Sequence, residues 1–222
     1  MAGVYGDGAT TREGDDDPQI DGAVAALRRG GVIAIPTDTV YGLAAALDRR
    51  DALRRIYAIK GRSGDKALPI LVAGPEELSR FSREVSPAVR ALADAFWPGA
   101  LTIVVPATAE VPSEVTRGGD TVGLRMPDHP LALAVIRAAG RALAVTSANR
   151  SGGLEARTAE EVHERLGNRV AFVVDGGRSG DGPASTVVDA TVVPFRILRL
   201  GAIGQDDIQR ALSAVGISDS DA

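Results

Sequence analysis

Three cations, Lys60, Arg62 and Lys66, lie close together in the chain, just downstream of a stretch dense in small polar groups: Thr37, Asp38, Thr39, Tyr41 and Gly42. That stretch follows an apolar run, Val32 to Ile35, with the β-branched character of a buried strand. Hydroxyls at a strand end followed by a cationic loop suit a phosphorylated ligand. The choice of cation adds to this. Of 25 basic residues in the 222-residue chain, Lys60 and Lys66 are the two lysines. A chain that otherwise uses arginine keeps a compact ammonium here, and the two cations are not interchangeable.

The same pattern of small polar or cationic groups at a strand end recurs at Thr121 to Arg125, Thr146 to Asn149, Ser185-Thr186 and Arg199. Each has a structural reading of its own: Thr146 as a turn cap, Asn149 in a left-handed turn, Ser185 at the start of a strand. Together they point to one site, because ligands of α/β folds gather at strand ends. No G-x-x-x-x-G-K-[ST] or G-x-G-x-x-G string occurs. The glycine-rich segment 176–182 reads either as a lid or as a plain connector. The chain has no cysteine, which excludes disulfides, thiolate catalysis and cysteine-rich zinc sites. Its two histidines, His129 and His163, are too far apart for an H-E-x-x-H site and are expected at a turn or on the surface.

These residues must be positioned by alternating elements. Helices are expected over 19–29, 51–60, 130–139, 158–166 and 205–214, and two more begin at the prolines of GPEELSRFS and SPAVRALADAF. Strands are expected over 32–35, 68–73, 101–105, 121–126, 142–146, 170–174, 186–189 and 195–199, with 36–50 read as the loop after the first. Some neighbouring strands lack an intervening helix. The fold expected is therefore a single α/β domain with a mixed parallel and antiparallel sheet flanked by helices. Its span is 19–215, between a disordered acidic tail (1–18) and a flexible C-terminal tail (216–222).

The net charge of −4 conceals an asymmetry: residues 1–21 carry six acids and one arginine, and 205–222 four acids and one arginine, so residues 22–204 carry +4. A mildly basic body suits a nucleotide and falls short of a strongly basic nucleic-acid binder. No apolar run approaches the ~20 residues needed to cross a bilayer, and the acidic N-terminus lacks the features of a secretory signal. A soluble, cytoplasmic protein without membrane contact is expected.

The strings PTDTVYGL (36–43), Lys60-x-Arg62, WPG-x-LT (97–102), TVGLRMPDHP (121–130), TSANRSG (146–152), STVVD (185–189) and LRLGAI (198–203) resemble the threonylcarbamoyl-AMP synthase family, also called YrdC or TsaC, in its short form. The resemblance implies a twisted YrdC-like fold with a deep, positively lined cavity. It also implies a nucleotidyltransferase reaction in which ATP, L-threonine and bicarbonate give threonylcarbamoyl-AMP and pyrophosphate. The product would then serve a tRNA-modifying transferase complex. The family's K-x-R and S-x-N signature, taken as catalytic, falls on Lys60, Arg62, Ser147 and Asn149. ATP contacts fall on Arg62, Lys66, Thr121, Val145, Ser147 and Arg199, and threonine contacts on Thr39, Arg125 and Ser185. Magnesium is expected with ATP, on no dedicated carboxylate cage; zinc, haem and flavin are not expected.

One position departs from the family pattern. Many members carry a histidine that meets threonine where this chain has Leu71, and an asparagine where it has Lys66. Leucine donates no hydrogen bond, so either threonine is bound differently or selectivity for the amino acid is looser. Two other readings stand beside the synthase: a nucleotide-binding paralogue without this activity, and a module contacting tRNA or double-stranded RNA. An aromatic content of 4% leaves the latter few stacking platforms.

Overall fold

The computed structural model describes residues 17–61, 66–180 and 182–217. Arg62 and most of both expected tails lie outside the described residues.

Helix α1 (Pro18–Arg28) begins as its sequence dictates. The Asp17 carboxylate accepts from the Gln19 amide, Pro18 fills the first turn, and Gly30 closes the end at a φ of +77°. Strand β1 (Ile33–Ile35) follows. Residues 42–46, read from sequence as loop, form strand β2 (Gly42–Ala46), paired antiparallel to β1 and to β6 (Leu143–Ser147). The string GLAAA carries no β-branched residue, so its strand character comes from pairing on both sides and not from propensity. Gly42 is required there, since a Cβ would lie 2.5 Å from Val145 Cγ1.

Helix α2 (Arg50–Lys60) and strand β3 (Ile70–Leu71) come next, the strand shorter than expected. A 3-10 turn leads into the short helix α3 (Leu78–Phe81); then come α4 (Pro87–Phe96), strand β4 (Leu101–Pro106), a short α5 (Ser113–Thr116) and strand β5 (Thr121–Arg125). The rest comprises α6 (Pro130–Ala139), β6, α7 (Ala159–Leu166), β7 (Phe172–Val173), β8 (Thr186–Asp189), β9 (Arg196–Arg199) and α8 (Gln205–Ser213). Among the described residues no helix is long and apolar enough to cross a membrane.

The nine strands form one mixed sheet in the order β7-β1-β2-β6-β3-β5-β4-β8-β9. Pairs β1–β7, β3–β5 and β4–β8 are parallel and the others antiparallel. Alternation divides the side chains between two cores. Ala34, Leu43, Ala45, Ile70 and Ala144 face one, beneath α2, α4, α7 and α8; Ile33, Ile35, Ala44, Leu71, Leu143 and Val145 face the other, under α1 and α6. The second core stops at β3 and β6. No buried residue of β5, β4 or β8 belongs to it, so that half of the sheet has one face without a helix layer.

Helix α5 docks on α2 through Glu114, whose carboxylate accepts from Arg50 at 3.3 Å and Arg54 at 2.8 Å. A hydrogen bond from its own backbone N–H, then the two arginines, hold this carboxyl below its ordinary range. A depressed folded-state value contributes stability that is present above the unfolded carboxylate pKa and lost as pH falls through the folded one. Glu114→Gln should therefore lower the melting temperature by about 2–4 °C near pH 7. In melts at successive pH values that difference should shrink toward zero below about pH 4. A difference that stays constant with pH would assign the loss to packing.

Candidate active site

The uncovered face of β5, β4 and β8 floors a cavity of about 510 Å³. Alternation supplies the floor. β5 gives Thr121, Gly123 and Arg125 while Val122 and Leu124 enter the core; β4 gives Thr102 and Val104 while Leu101, Ile103 and Val105 turn inward; β8 gives Val187 opposite Val188. The walls are the loop from Thr37 to Gly42, the segment from Lys66 to Leu71, residues Val145 to Ser147, and Ser185 with Arg199. Of the residues expected to touch ATP or threonine, Thr39, Lys66, Thr121, Arg125, Val145, Ser147, Ser185 and Arg199 line this one space.

Arg125 is 7% exposed, and three partners hold its fork. Its Nε donates to Gly99 O at 2.9 Å, one terminal nitrogen to Thr39 Oγ1 at 3.2 Å, and the other to Asp38 Oδ1 at 2.6 Å. Burial pulls the guanidinium pKa down and Asp38 opposes the shift, so the group remains a cation. Asp38 also accepts from the Asp128 amide, which ties the fork to the turn after β5. Proton accounting fixes Thr39. Thr37 Oγ1 donates to Val40 O at 2.6 Å, so its bond to Thr39 Oγ1 at 3.1 Å takes the Thr39 proton, while Thr39 accepts from Arg125. Two of the five Arg125 N–H groups remain for a ligand.

A second network joins Ser185, Thr102 and Arg199. Arg199 donates to Ser185 O and Oγ, and Ser185 Oγ lies 3.1 Å from Thr102 Oγ1. Thr102 is a site residue the sequence reading did not single out. Its signal was available, since a hydroxyl within LTIVV, out of phase with Leu101, Ile103 and Val105, must face away from their core. Glu155 also lines the cavity, from a loop where nothing in the sequence marks it.

Lys60 stands apart from this set. It is 4% exposed and does not line the cavity. Its Nζ donates to Ser147 O at 2.7 Å, Asn149 Oδ1 at 2.7 Å and Asn149 O at 3.1 Å. Ser147 Oγ in turn donates to Asn149 Oδ1 at 2.8 Å, and Asn149 Nδ2 to Gly153 O at 2.6 Å. Lys60 and Asn149 thus lie behind the wall and shape the loop after β6, while Ser147 reaches the cavity.

No described residue of the segment 176–182 lines the cavity. The Tyr41 hydroxyl donates to Gly177 O and accepts from the Gly176 amide, and Arg157 donates to Gly180 O, so the segment is a fastened connector behind Asp38. Gly180 needs its missing side chain, since a Cβ would lie 2.3 Å from Asp38 O. His129 precedes α6 and His163 is exposed on α7, so both occupy the turn and surface positions expected of them. Burial lowers the His129 pKa, against the pull of Asp38 and Asp128.

Comparison with known proteins places this geometry. The Sua5/YciO/YrdC family model, described as telomere recombination, matches residues 25–201. A threonylcarbamoyl-AMP synthase of Bacillus subtilis is 42% identical over 92% of this chain and 60% of its own length; one of Thiobacillus denitrificans is 41% identical over 82% and 94%. Among solved structures, Pyrococcus abyssi Sua5 complexed with L-threonine superposes with a TM-score of 0.84 at 38% identity, covering 87% of this chain and 57% of that one. Escherichia coli YciO gives 0.78 at 30% identity, covering 87% and 95%. The chain thus spans about 60% of the length of its B. subtilis and P. abyssi relatives. With the matched region running from α1 through β9 and both cavity networks inside it, the chain belongs to the Sua5/YciO/YrdC family.

Proposed function

We propose that this chain is an L-threonylcarbamoyladenylate synthase, a cytoplasmic nucleotidyltransferase that makes threonylcarbamoyl-AMP and pyrophosphate from MgATP, L-threonine and bicarbonate. A tRNA-modifying transferase would consume the product. The observation that carries this reading is one cavity lined by two kinds of group. Arg125 offers a fork with two remaining N–H groups, suited to an amino acid's carboxylate, beside Thr39 Oγ1, whose remaining lone pair can accept from a ligand N–H or O–H; Lys66, Thr121, Ser147 and Arg199 offer cations and hydroxyls suited to phosphates. P. abyssi Sua5, at 38% identity, has been solved with L-threonine.

The chemistry asks for no protein nucleophile. Threonine's amine condenses with bicarbonate to an N-carboxylate and water. An oxygen of that carboxylate then bonds to the α-phosphorus, the bond from that phosphorus to the bridging oxygen breaks, and pyrophosphate leaves with the electron pair. The protein's part is to hold the anions together and to stabilise charge on the departing phosphates. Arg125 orients threonine, Ser185 and Thr39 take its remaining polar groups, and Lys66, Arg199 and Arg62 meet the phosphates. Lys60 and Asn149 act by shaping the Ser147 wall. Magnesium would arrive with the nucleotide as part of the substrate. Glu155 is the carboxylate among the lining residues, Asp38 is committed to Arg125, and the described residues hold no cluster of three metal-ligating side chains.

Leu71 lines the cavity and gives a second reading a foothold, a family member that binds ATP but takes another amino acid or none. Pyrophosphate release separates them. With ATP, bicarbonate and threonine the protein should release pyrophosphate, and omitting bicarbonate or threonine should abolish the signal. Release with serine as readily as with threonine, or none while ATP still binds, would favour the second reading.

A further inference from the structure

Lys66 is exposed, lines the cavity, and its ammonium has no partner among the described residues. Its placement is therefore set by its main chain. That main chain is held from outside the cavity. The Tyr57 hydroxyl lies 3.2 Å from Lys66 O and 3.0 Å from Glu114 O, and the Leu68 amide donates to Val115 O at 2.9 Å. Tyr57 is 7% exposed, and the Arg117 guanidinium covers its ring at 4.8 Å. A phenol has one proton, so two carbonyls share it. The geometry draws α5 and the segment starting at Lys66 together around the last turns of α2. The same helix carries Lys60 three residues on, which bonds Ser147 at the end of the neighbouring strand β6.

We propose that Tyr57 is a positioning residue for Lys66: its hydroxyl fixes the main chain that aims the Lys66 ammonium at the nucleotide's phosphates. The inference rests on the nucleotide-binding reading above. Its distinctive consequence is that Tyr57 acts on ATP only through Lys66, and not on threonine at all.

Titration calorimetry with MgATP tests this on the wild type, Tyr57→Phe, Lys66→Ala and the double variant, each checked by thermal melting. Tyr57→Phe should weaken ATP binding about five- to tenfold and leave the threonine KM within about twofold. Lys66→Ala should weaken ATP binding at least as much, and the double variant should match Lys66→Ala within about twofold. ATP affinity unchanged by Tyr57→Phe overturns the proposal, as do losses that multiply in the double variant or an equal effect on threonine. Should the wild type bind no MgATP, the functional reading fails by itself, and amide exchange decides the positioning claim. Leu68 should then exchange at least tenfold faster in Tyr57→Phe; unchanged exchange overturns it.

Discussion

Lys60→Met should cut pyrophosphate release at least tenfold and lower the melting temperature by about 10 °C, although Lys60 does not line the cavity. The ammonium sits 4% exposed among Ser147 O, Asn149 O and Asn149 Oδ1, each within 3.1 Å. Methionine fills the same stem volume but supplies no proton, so three charge-assisted bonds are lost together: Asn149 O loses its donor among the described residues, while Ser147 O keeps the Asn149 amide and Asn149 Oδ1 keeps Ser147 Oγ. Losing three buried charge-assisted bonds, one of them leaving Asn149 O without that donor, costs about 3 kcal/mol or more. The site feels the loss because Ser147 Oγ and Asn149 Oδ1 share the same network. Once Asn149 turns to find another donor, the Ser147 wall moves away from the phosphates it should meet. Lys60→Arg should fail nearly as badly, since a planar guanidinium cannot converge three protons on acceptors arranged around a compact ammonium. Pyrophosphate release measured well below the melting point separates this from simple unfolding. Turnover within threefold of wild type in folded Lys60→Met would remove Lys60 from the site's architecture.

The two lysines show what the sequence can and cannot disclose. Their rarity marked the segment, and Lys66 lines the cavity. Lys60 faces inward instead, toward partners 87 and 89 positions away, a pairing no local pattern encodes. Helix starts were legible where Pro87 and Pro130 sit in first turns that need no amide donor; at α1 the expected helix began at 19 and left Pro18 and its cap Asp17 in the tail. Strand β2 was not, because GLAAA becomes a strand only between β1 and β6. The cavity floor lay between these cases. Alternation in β4 and β5 tells which residues leave the core, but only the assembled sheet shows that no helix covers the face they enter.

Arg125→Lys should raise the threonine KM about thirtyfold, equivalent to about 2 kcal/mol, while leaving the ATP KM within about threefold. Lysine keeps a positive charge opposite Asp38, so the fold should survive. It loses the planar fork that bonds Gly99 O, Thr39 Oγ1 and Asp38 Oδ1 while leaving two N–H groups for a carboxylate. Arg125→Met tests the same residue from the side of stability. It strands Asp38 with the Asp128 amide as its remaining partner among the described residues, and an uncompensated carboxylate of this kind costs about 3–5 kcal/mol. Adding Asp38→Asn removes that charge. The double variant should therefore recover most of the lost melting temperature while still failing to use threonine. Stability and substrate binding would then separate at one residue: the Asp38 pair serves to place the fork, and the fork serves to take the amino acid. An ATP KM that rises in step with that of threonine in Arg125→Lys would contradict this division of the cavity. So would a double variant that turns threonine over with a wild-type KM, because the carboxylate would then be bound somewhere other than Arg125.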